Sequence, residues 1–208
     1  MPRPRSLTPA DIAAAALQVI DRDGLASLSM RTVAAELGSG TMSLYRYVPD
    51  REALERLVVD RILDAVDTDV APGTRWDRQI THLAERLRLA VGAHPSVVPL
   101  LMLHRHASEG VRRYAEALLR ALAEGGFSAA RSVIALRTLV SYLSGALQAQ
   151  HLAPLDGPGT EAMARNEDDA YPLLSATART ARRISPDREF RGGIAILLQG
   201  LADMRRNA

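Results

Sequence analysis

The 208-residue chain carries 26 basic and 24 acidic residues, a formal net charge of +2, with 47% hydrophobic against 24% charged side chains; that balance belongs to a folded protein of one large domain or two small ones. It has no cysteine, which excludes disulfides, Cys-ligated zinc and thiol catalysis. Aromatic residues make up only 4%, so the core must be built from Leu, Ile, Val and Ala, a mixture that favours packed helices.

The start Met1-Pro2-Arg3-Pro4-Arg5 runs into a polar helix start with no apolar stretch behind it. No apolar run approaches the roughly 18 residues that suggest a membrane span. A soluble, cytoplasmic protein with no membrane partner is therefore expected. Every cationic side chain is Arg, which grips phosphate bidentately and stacks on bases; a genome that favours Arg codons produces the same bias. The first 51 residues hold six Arg against five Asp and Glu, so bulk charge alone does not indicate a nucleic-acid partner.

Helical periodicity recurs almost throughout, and the predicted class is all-α. Thr8, Pro9 and Asp11 form a helix start, Ile12, Ala16, Val19 and Ile20 make one apolar stripe, and Gly24 ends it. Ser29 caps a short second helix with Met30, Val33, Ala34 and Leu37 inward. The turn Gly38-Ser39-Gly40 leads to a third short helix over about 41–48, anchored by Leu44 and Val48. Pro49-Asp50 breaks and recaps the chain. A fourth helix, about 51–66, turns Leu54, Leu57, Val58, Ile62 and Val66 inward. Ala71-Pro72-Gly73-Thr74 is the expected internal boundary, dividing the chain into domains 1–70 and 71–208. Beyond it the pattern predicts helices at about 75–93, 95–104, 108–124, 128–151, 171–183 and 188–205. The segment from Ala153 to Asp169, with two Pro, two Gly and an acidic run, reads as a long surface loop.

Two short helices joined by a tight Gly-containing turn over 29–48 have the layout of a helix-turn-helix, although an ordinary helical bundle contains such pairs too. The short third helix needs only a narrow stripe for the core. Met42, Ser43, Arg46 and Tyr47 share an outward face at helical spacing, beside Thr41 and Tyr45. Arg reads guanine N7 and O6, Ser and Thr hydroxyls read base edges or phosphates, and Met meets a thymine methyl. Tyr45 and Tyr47 offer hydroxyls to phosphate oxygens. Arg51 adds a charge and free N–H groups at the start of the fourth helix. Arg3 and Arg5 have the composition of a minor-groove arm, or simply of a free tail.

The stretch Leu28-Ser29-Met30-Arg31-Thr32-Val33-Ala34-Ala35-Glu36-Leu37-Gly38, followed by Leu44-Tyr45-Arg46-Tyr47 and Asp50-Arg51-Glu52-Ala53-Leu54, resembles the DNA-binding signature of the TetR family. The likeness spans about 8–66. Gly125-Gly126-Phe127-Ser128 and Phe190 with Leu197-Leu198-Gln199-Gly200-Leu201 are similar to the ligand-binding domain of the tetracycline-repressor branch. The resemblance implies an all-α homodimer, with an N-terminal three-helix helix-turn-helix domain and a larger helical ligand-binding and dimerisation domain on each subunit. It implies a repressor of operator DNA released by a small-molecule inducer, with an activator of the same fold left open. Carried over by position, the DNA contacts are Arg31, Thr41, Met42, Ser43, Tyr45, Arg46, Tyr47 and Arg51. Family members often have an aromatic where Arg46 stands and His where Tyr47 stands, so no operator sequence transfers.

The 128–151 segment is apolar on more than one face, through residues such as Val133, Ile134, Leu139, Val140 and Leu143. The last helix is similar, with Ile194, Leu197, Leu198 and Leu201, and Gly145, Gly192 and Gly193 leave room for close approach. The two read as half of an intersubunit four-helix bundle, or else as internal core. Trp76, His82, Met102, His106, Leu139, Tyr142 and Tyr171 are the candidate ligand-lining side chains, being large or amphipathic groups of the second domain. His104 and His106, two apart, do not share a helix face, and neither a metal site nor any cofactor is expected. In the tetracycline repressor a Glu on the helix corresponding to 128–151 serves the drug–metal complex. Gln148 and Ala149 stand near that position here, which argues against tetracycline–magnesium as inducer. The chain has no G-x-S-x-G, H-E-x-x-H or phosphate-binding Gly loop, so no enzyme is expected. The weak basicity of its start argues against a sequence-indifferent DNA binder.

Overall fold

A computed structural model describes residues 7–165 and 170–206, and every regular element among them is helical. In chain order these are α1 (Pro9–Asp23), α2 (Met30–Glu36), α3 (Thr41–Tyr45), α4 (Arg51–Asp64), α5 (Trp76–Gly92), α6 (Val98–Leu103), α7 (Glu109–Glu124), α8 (Ala129–Leu152), α9 (Pro158–Arg165), α10 (Pro172–Ala181) and α11 (Pro186–Arg206), with single 3-10 turns at Leu25–Ser27 and Pro95–Val97. The expectation for Arg3 and Arg5 falls outside the described residues. No helix among the described residues is long and apolar enough to cross a membrane.

Two compact units divide the chain, Met1–Ala121 and Leu122–Ala208. In the first, α1 packs against α2 and α4, and α2 against α3. Ile12, Ile20, Leu28, Val33, Leu44, Leu54 and Val58 are fully enclosed, each large aliphatic side chain contributing about 1.5–3 kcal/mol by leaving water. The helix starts are built as the sequence suggests. Thr8 and Asp11 form a reciprocal capping box, Ser29 and Thr32 form another, and the Asp50 carboxylate accepts from the Ala53 N–H at 2.7 Å. Such caps are worth about 1 kcal/mol each.

α4 is tied to the elements that follow. The Asp60 carboxylate accepts from the Ser108 hydroxyl at 2.5 Å and from the Gly110 N–H at 3.0 Å, where α7 begins. Arg113 of α7 donates to the Leu63 carbonyl at 3.1 Å and the Asp64 carboxylate at 2.8 Å. After α4, Arg86 of α5 holds the connecting segment through the carbonyls of Asp67 and Asp69, at 2.9 and 2.6 Å. The Asp60 and Asp64 carboxylates of α4 thus join it to α7.

In the second unit α8 packs on α11 and α9 on α10. α8 buries Ala135, Leu139, Leu143 and Leu147, one stripe of four-residue spacing, and α11 buries Phe190, Ile194, Leu198 and Leu201. α9 corrects the expectation of a continuous loop from Ala153 to Asp169. Pro158 is tolerated in a helix's first turn, Glu161-Ala162-Met163-Ala164-Arg165 are strong helix formers, and packing on α10 supplies what a helix of 8 residues lacks alone.

Candidate nucleic-acid interface

The turn between α2 and α3 is set by Gly38. Its φ of +60° lies where a Cβ costs roughly 1–2 kcal/mol. The Gly38 N–H donates to the Ala35 carbonyl and the Ser39 N–H to the Ala34 carbonyl, at 3.0 and 2.9 Å, closing α2 as a Schellman motif. The chain then re-enters helix at Thr41. α3 is shorter than expected, ending at Tyr45, with the Tyr47 and Val48 N–H groups both returning to the Leu44 carbonyl at 2.9 Å. Pro49 explains the early stop, since it drives the residue before it out of helical geometry.

Leu44 and Val48 anchor this segment, at 0% and 1% exposure, while Met42 stands 78%, Tyr45 46% and Tyr47 40% exposed. Arg46 is exposed, Thr41 and Ser43 are half-buried, and Arg31 of α2 is exposed. Arg51 opens α4 with its side chain 51% exposed and its Nε donating to Glu55 at 2.8 Å. The eight predicted contact residues thus lie on α2 (Arg31), on α3 and the turn after it (Thr41, Met42, Ser43, Tyr45, Arg46, Tyr47) and at the start of α4 (Arg51). The segment held by Leu44 and Val48 carries one guanidinium, four hydroxyls and one thioether, with Arg31 of α2 and Arg51 of α4 to either side of it in sequence.

The predicted ligand-lining residues divide between the units. In the first, Trp76 is buried at 8% exposure, Met102 is half-buried, and His82 and His106 are exposed. In the second, Leu139 is fully buried and Tyr171 is 61% exposed. Tyr142 is half-buried; its hydroxyl donates to the Phe190 carbonyl at 2.8 Å and its ring packs against Phe190, centroids 5.9 Å apart. A groove of about 530 Å³ lies between α1, α4 and α5, floored by Ala14, Leu17, Ile62 and Ala90 and edged by Asp21 and His94, which are hydrogen-bonded at 2.8 Å. None of the predicted lining residues borders it.

Two features escape a reading of the chain alone. His104, at the end of α6, is 3% exposed, and its Nε2 meets the buried Glu55 carboxylate of α4 at 2.9 Å. Burial acts to raise the Glu55 pKa, but hydrogen bonds from Arg51 and His104 and their charges outweigh it, leaving the carboxyl below its ordinary 4.5. His104 is thus turned into a pair with Glu55 and away from any joint role with exposed His106. The second feature is Tyr114 of α7. Its hydroxyl is buried without a hydrogen-bond partner among the described residues, and burial drives the phenol pKa upward. An orphan of this kind costs about 1–3 kcal/mol. Tyr114 falls on the apolar stripe with Leu118, Ala121 and Leu122, so its burial was legible from periodicity; its lack of a partner was not.

Known proteins share this arrangement. Residues 12–56 match the model of bacterial regulatory proteins of the tetR family, and residues 70–205 match that of the tetracyclin repressor-like C-terminal domain. The HTH-type transcriptional repressor DrrR1 of Streptomyces coeruleorubidus is 32% identical over 151 residues, covering 72% of this chain and 55% of that protein's own length. The class A tetracycline repressor protein from transposon 1721 of Escherichia coli is 28% identical over 203 residues, 96% of this chain and 92% of that one. Among solved structures, the TetR family protein ActR of Streptomyces coelicolor in complex with actinorhodin superposes with a TM-score of 0.81 at 25% identity, over 96% of this chain and 98% of that one. With both domain models matched in order along one chain, this protein belongs to the TetR family of bacterial regulatory proteins, with a tetracyclin repressor-like C-terminal domain.

Proposed function

We propose that the chain is a sequence-specific DNA-binding transcriptional regulator, a repressor whose hold on its operator is relieved by a small-molecule effector. The exposed face of α3 carries the reading: Met42, Arg46 and Tyr47 stand out from a segment locked by Leu44 and Val48. Arg46 pairs with a guanine edge and Met42 lies against a thymine methyl, with Ser43 and Thr41 on neighbouring edges or phosphates. Arg31, Tyr45, Tyr47 and Arg51 set register on the backbone.

Residues 1–70 serve DNA and residues 71–208 serve effector binding and dimerisation. Two copies pair through α8 and α11, which leave Val133, Ile134 and Ile196 exposed at 59%, 57% and 76%. Gly145 and Gly192 on the same helices face open space and admit a partner's side chains. Reading both half-sites of an operator requires two α3 helices about one DNA turn apart, roughly 34–36 Å. The effector binds the DNA-incompetent arrangement more tightly and so lowers operator affinity. ActR holding actinorhodin supports an organic effector, and DrrR1 supports repression. Trp76, His82, Met102, His106 and Tyr114 in the first unit, and Leu139, Tyr142 and Tyr171 in the second, are each proposed as effector contacts. Such a regulator works in the cytoplasm.

The test is selection of bound duplexes from a random-sequence library, followed by titration of the selected duplex with and without a small-molecule panel. A shared selected sequence, bound at least a thousandfold more tightly than random DNA and released by one compound, is the expected result. Equal affinity for random DNA would sink the reading.

A further inference from the structure

We propose that Glu55 is a positioning residue for the contact of Arg51 with the DNA backbone, and that His104 holds Glu55 for that purpose; the proposal rests on the DNA-binding reading above. Three side chains form a line from the interior to the surface. His104 is 3% exposed, the Glu55 side chain 10% and the Arg51 side chain 51%. The His104 ring nitrogen Nε2 lies 2.9 Å from Glu55 Oε2, and Arg51 Nε donates to Oε1 at 2.8 Å. An ionised carboxylate only accepts, so Nε2 carries the proton. Each carboxylate oxygen thus has its own donor, one of them from a buried ring, and the group cannot swing.

The consequence falls on the guanidinium. Glu55 engages Nε, and among the described residues the two terminal amino groups of Arg51 have no hydrogen-bond partner. Those groups form the end of the fork that meets a phosphate. The side chain is therefore oriented by its inner edge and open at its outer one. The conformational freedom it would lose on binding DNA is already lost in the folded protein. The neighbouring Glu52–Arg56 pair makes the contrast. It has the same i,i+4 spacing at 2.7 Å, but its Glu is 68% exposed and has no buried histidine behind it; it is an ordinary surface pair. Glu55 and His104 bear the cost of burial, and orienting Arg51 gives that cost a use.

The experiment measures affinity for the library-selected duplex against salt concentration, for the full-length protein and for Arg51→Ala, Glu55→Gln and the double variant. Removing one phosphate contact lowers the log–log salt slope by about 0.9. Arg51→Ala is expected to show this drop. Glu55→Gln should weaken binding about 3- to 10-fold, as expected for one unimmobilised side chain, and the double variant should be no weaker than Arg51→Ala alone. His104→Gln, which retains a donor toward Glu55, should bind more tightly than His104→Leu. Additive losses in the double variant would overturn the proposal, as would an unchanged slope in Arg51→Ala, a surface change that leaves the core intact. Failure of the unaltered protein to select any sequence would instead defeat the DNA-binding reading itself.

Discussion

Gly110, the second residue of α7, lies so close to Leu63 of α4 that a Cβ on it would stand 2.6 Å from the Leu63 Cβ. The Gly110 N–H also donates to the Asp60 carboxylate of α4 at 3.0 Å. The two helices therefore meet backbone to side chain, with no slack. Gly110→Ala is expected to cost about 1–3 kcal/mol through overpacking, read as a lower denaturant midpoint with an unchanged m-value. Stability equal to the original would mean that α4 and α7 can separate freely.

Arg46 stands exposed beyond the last turn of α3 and supports no part of the core. Arg46→Ala should leave thermal stability within about 0.5 kcal/mol and weaken binding to the selected duplex by about 1–3 kcal/mol, the range for one bidentate base contact. A preserved footprint and affinity would remove Arg46 from the readers.

The Glu55 carboxyl has its pKa lowered from 4.5, with the Arg51 and His104 interactions overcoming burial. A folded-state pKa below the unfolded one contributes stability above the unfolded value and loses it as pH falls through the folded value. The protein should thus be progressively destabilised as pH drops below about 4.5. Glu55→Gln should flatten this part of the stability profile. Identical profiles for the two proteins in urea denaturation between pH 6 and 3 would contradict the assignment.

Tyr114→Phe removes a buried hydroxyl that has no partner. Without effector, the variant should be as stable as the original or more stable, by up to about 1–3 kcal/mol. With the effector found in the panel, it should bind more weakly, because a ligand group that pairs with the hydroxyl loses its partner. Calorimetric titration measures the second effect; unaltered affinity would place Tyr114 outside the effector contacts.

Gly193 of α11 is occupied from within its own unit. A Cβ there would collide with the Tyr142 ring, whose hydroxyl donates to the Phe190 carbonyl. This differs from Gly145 and Gly192, which face open space. Gly193→Ala should destabilise the α8–α11 pair by about 1–3 kcal/mol, and Tyr142→Phe by about 0.5–1.5 kcal/mol for the lost hydrogen bond. Thermal melts of the two variants check the order. If Gly193→Ala instead left stability intact and only shifted the sedimentation profile, the glycine would serve the partner subunit.

Most of the architecture was readable along the chain because helices announce themselves locally. The stripe Ile12, Ala16, Val19 and Ile20, the caps Thr8, Ser29 and Asp50, and the turn glycine Gly38 each depend on residues within a few positions. The face of α3 was readable for the same reason, with Leu44 and Val48 marking its inner side. Where the reading fell short, the deciding partner was distant or the context was tertiary. α9 holds its helix by packing on α10. Glu55 lies four residues from its partner Arg51, but His104, which meets its other oxygen, is 49 residues away in sequence. Gly193 looked like a place for a neighbouring chain until Tyr142 filled it. Periodicity tells which face of a helix leaves water, but the pairing of buried polar groups depends on which faces meet. Only packing of the whole chain settles that, because a buried charge is stable only where its partners already stand.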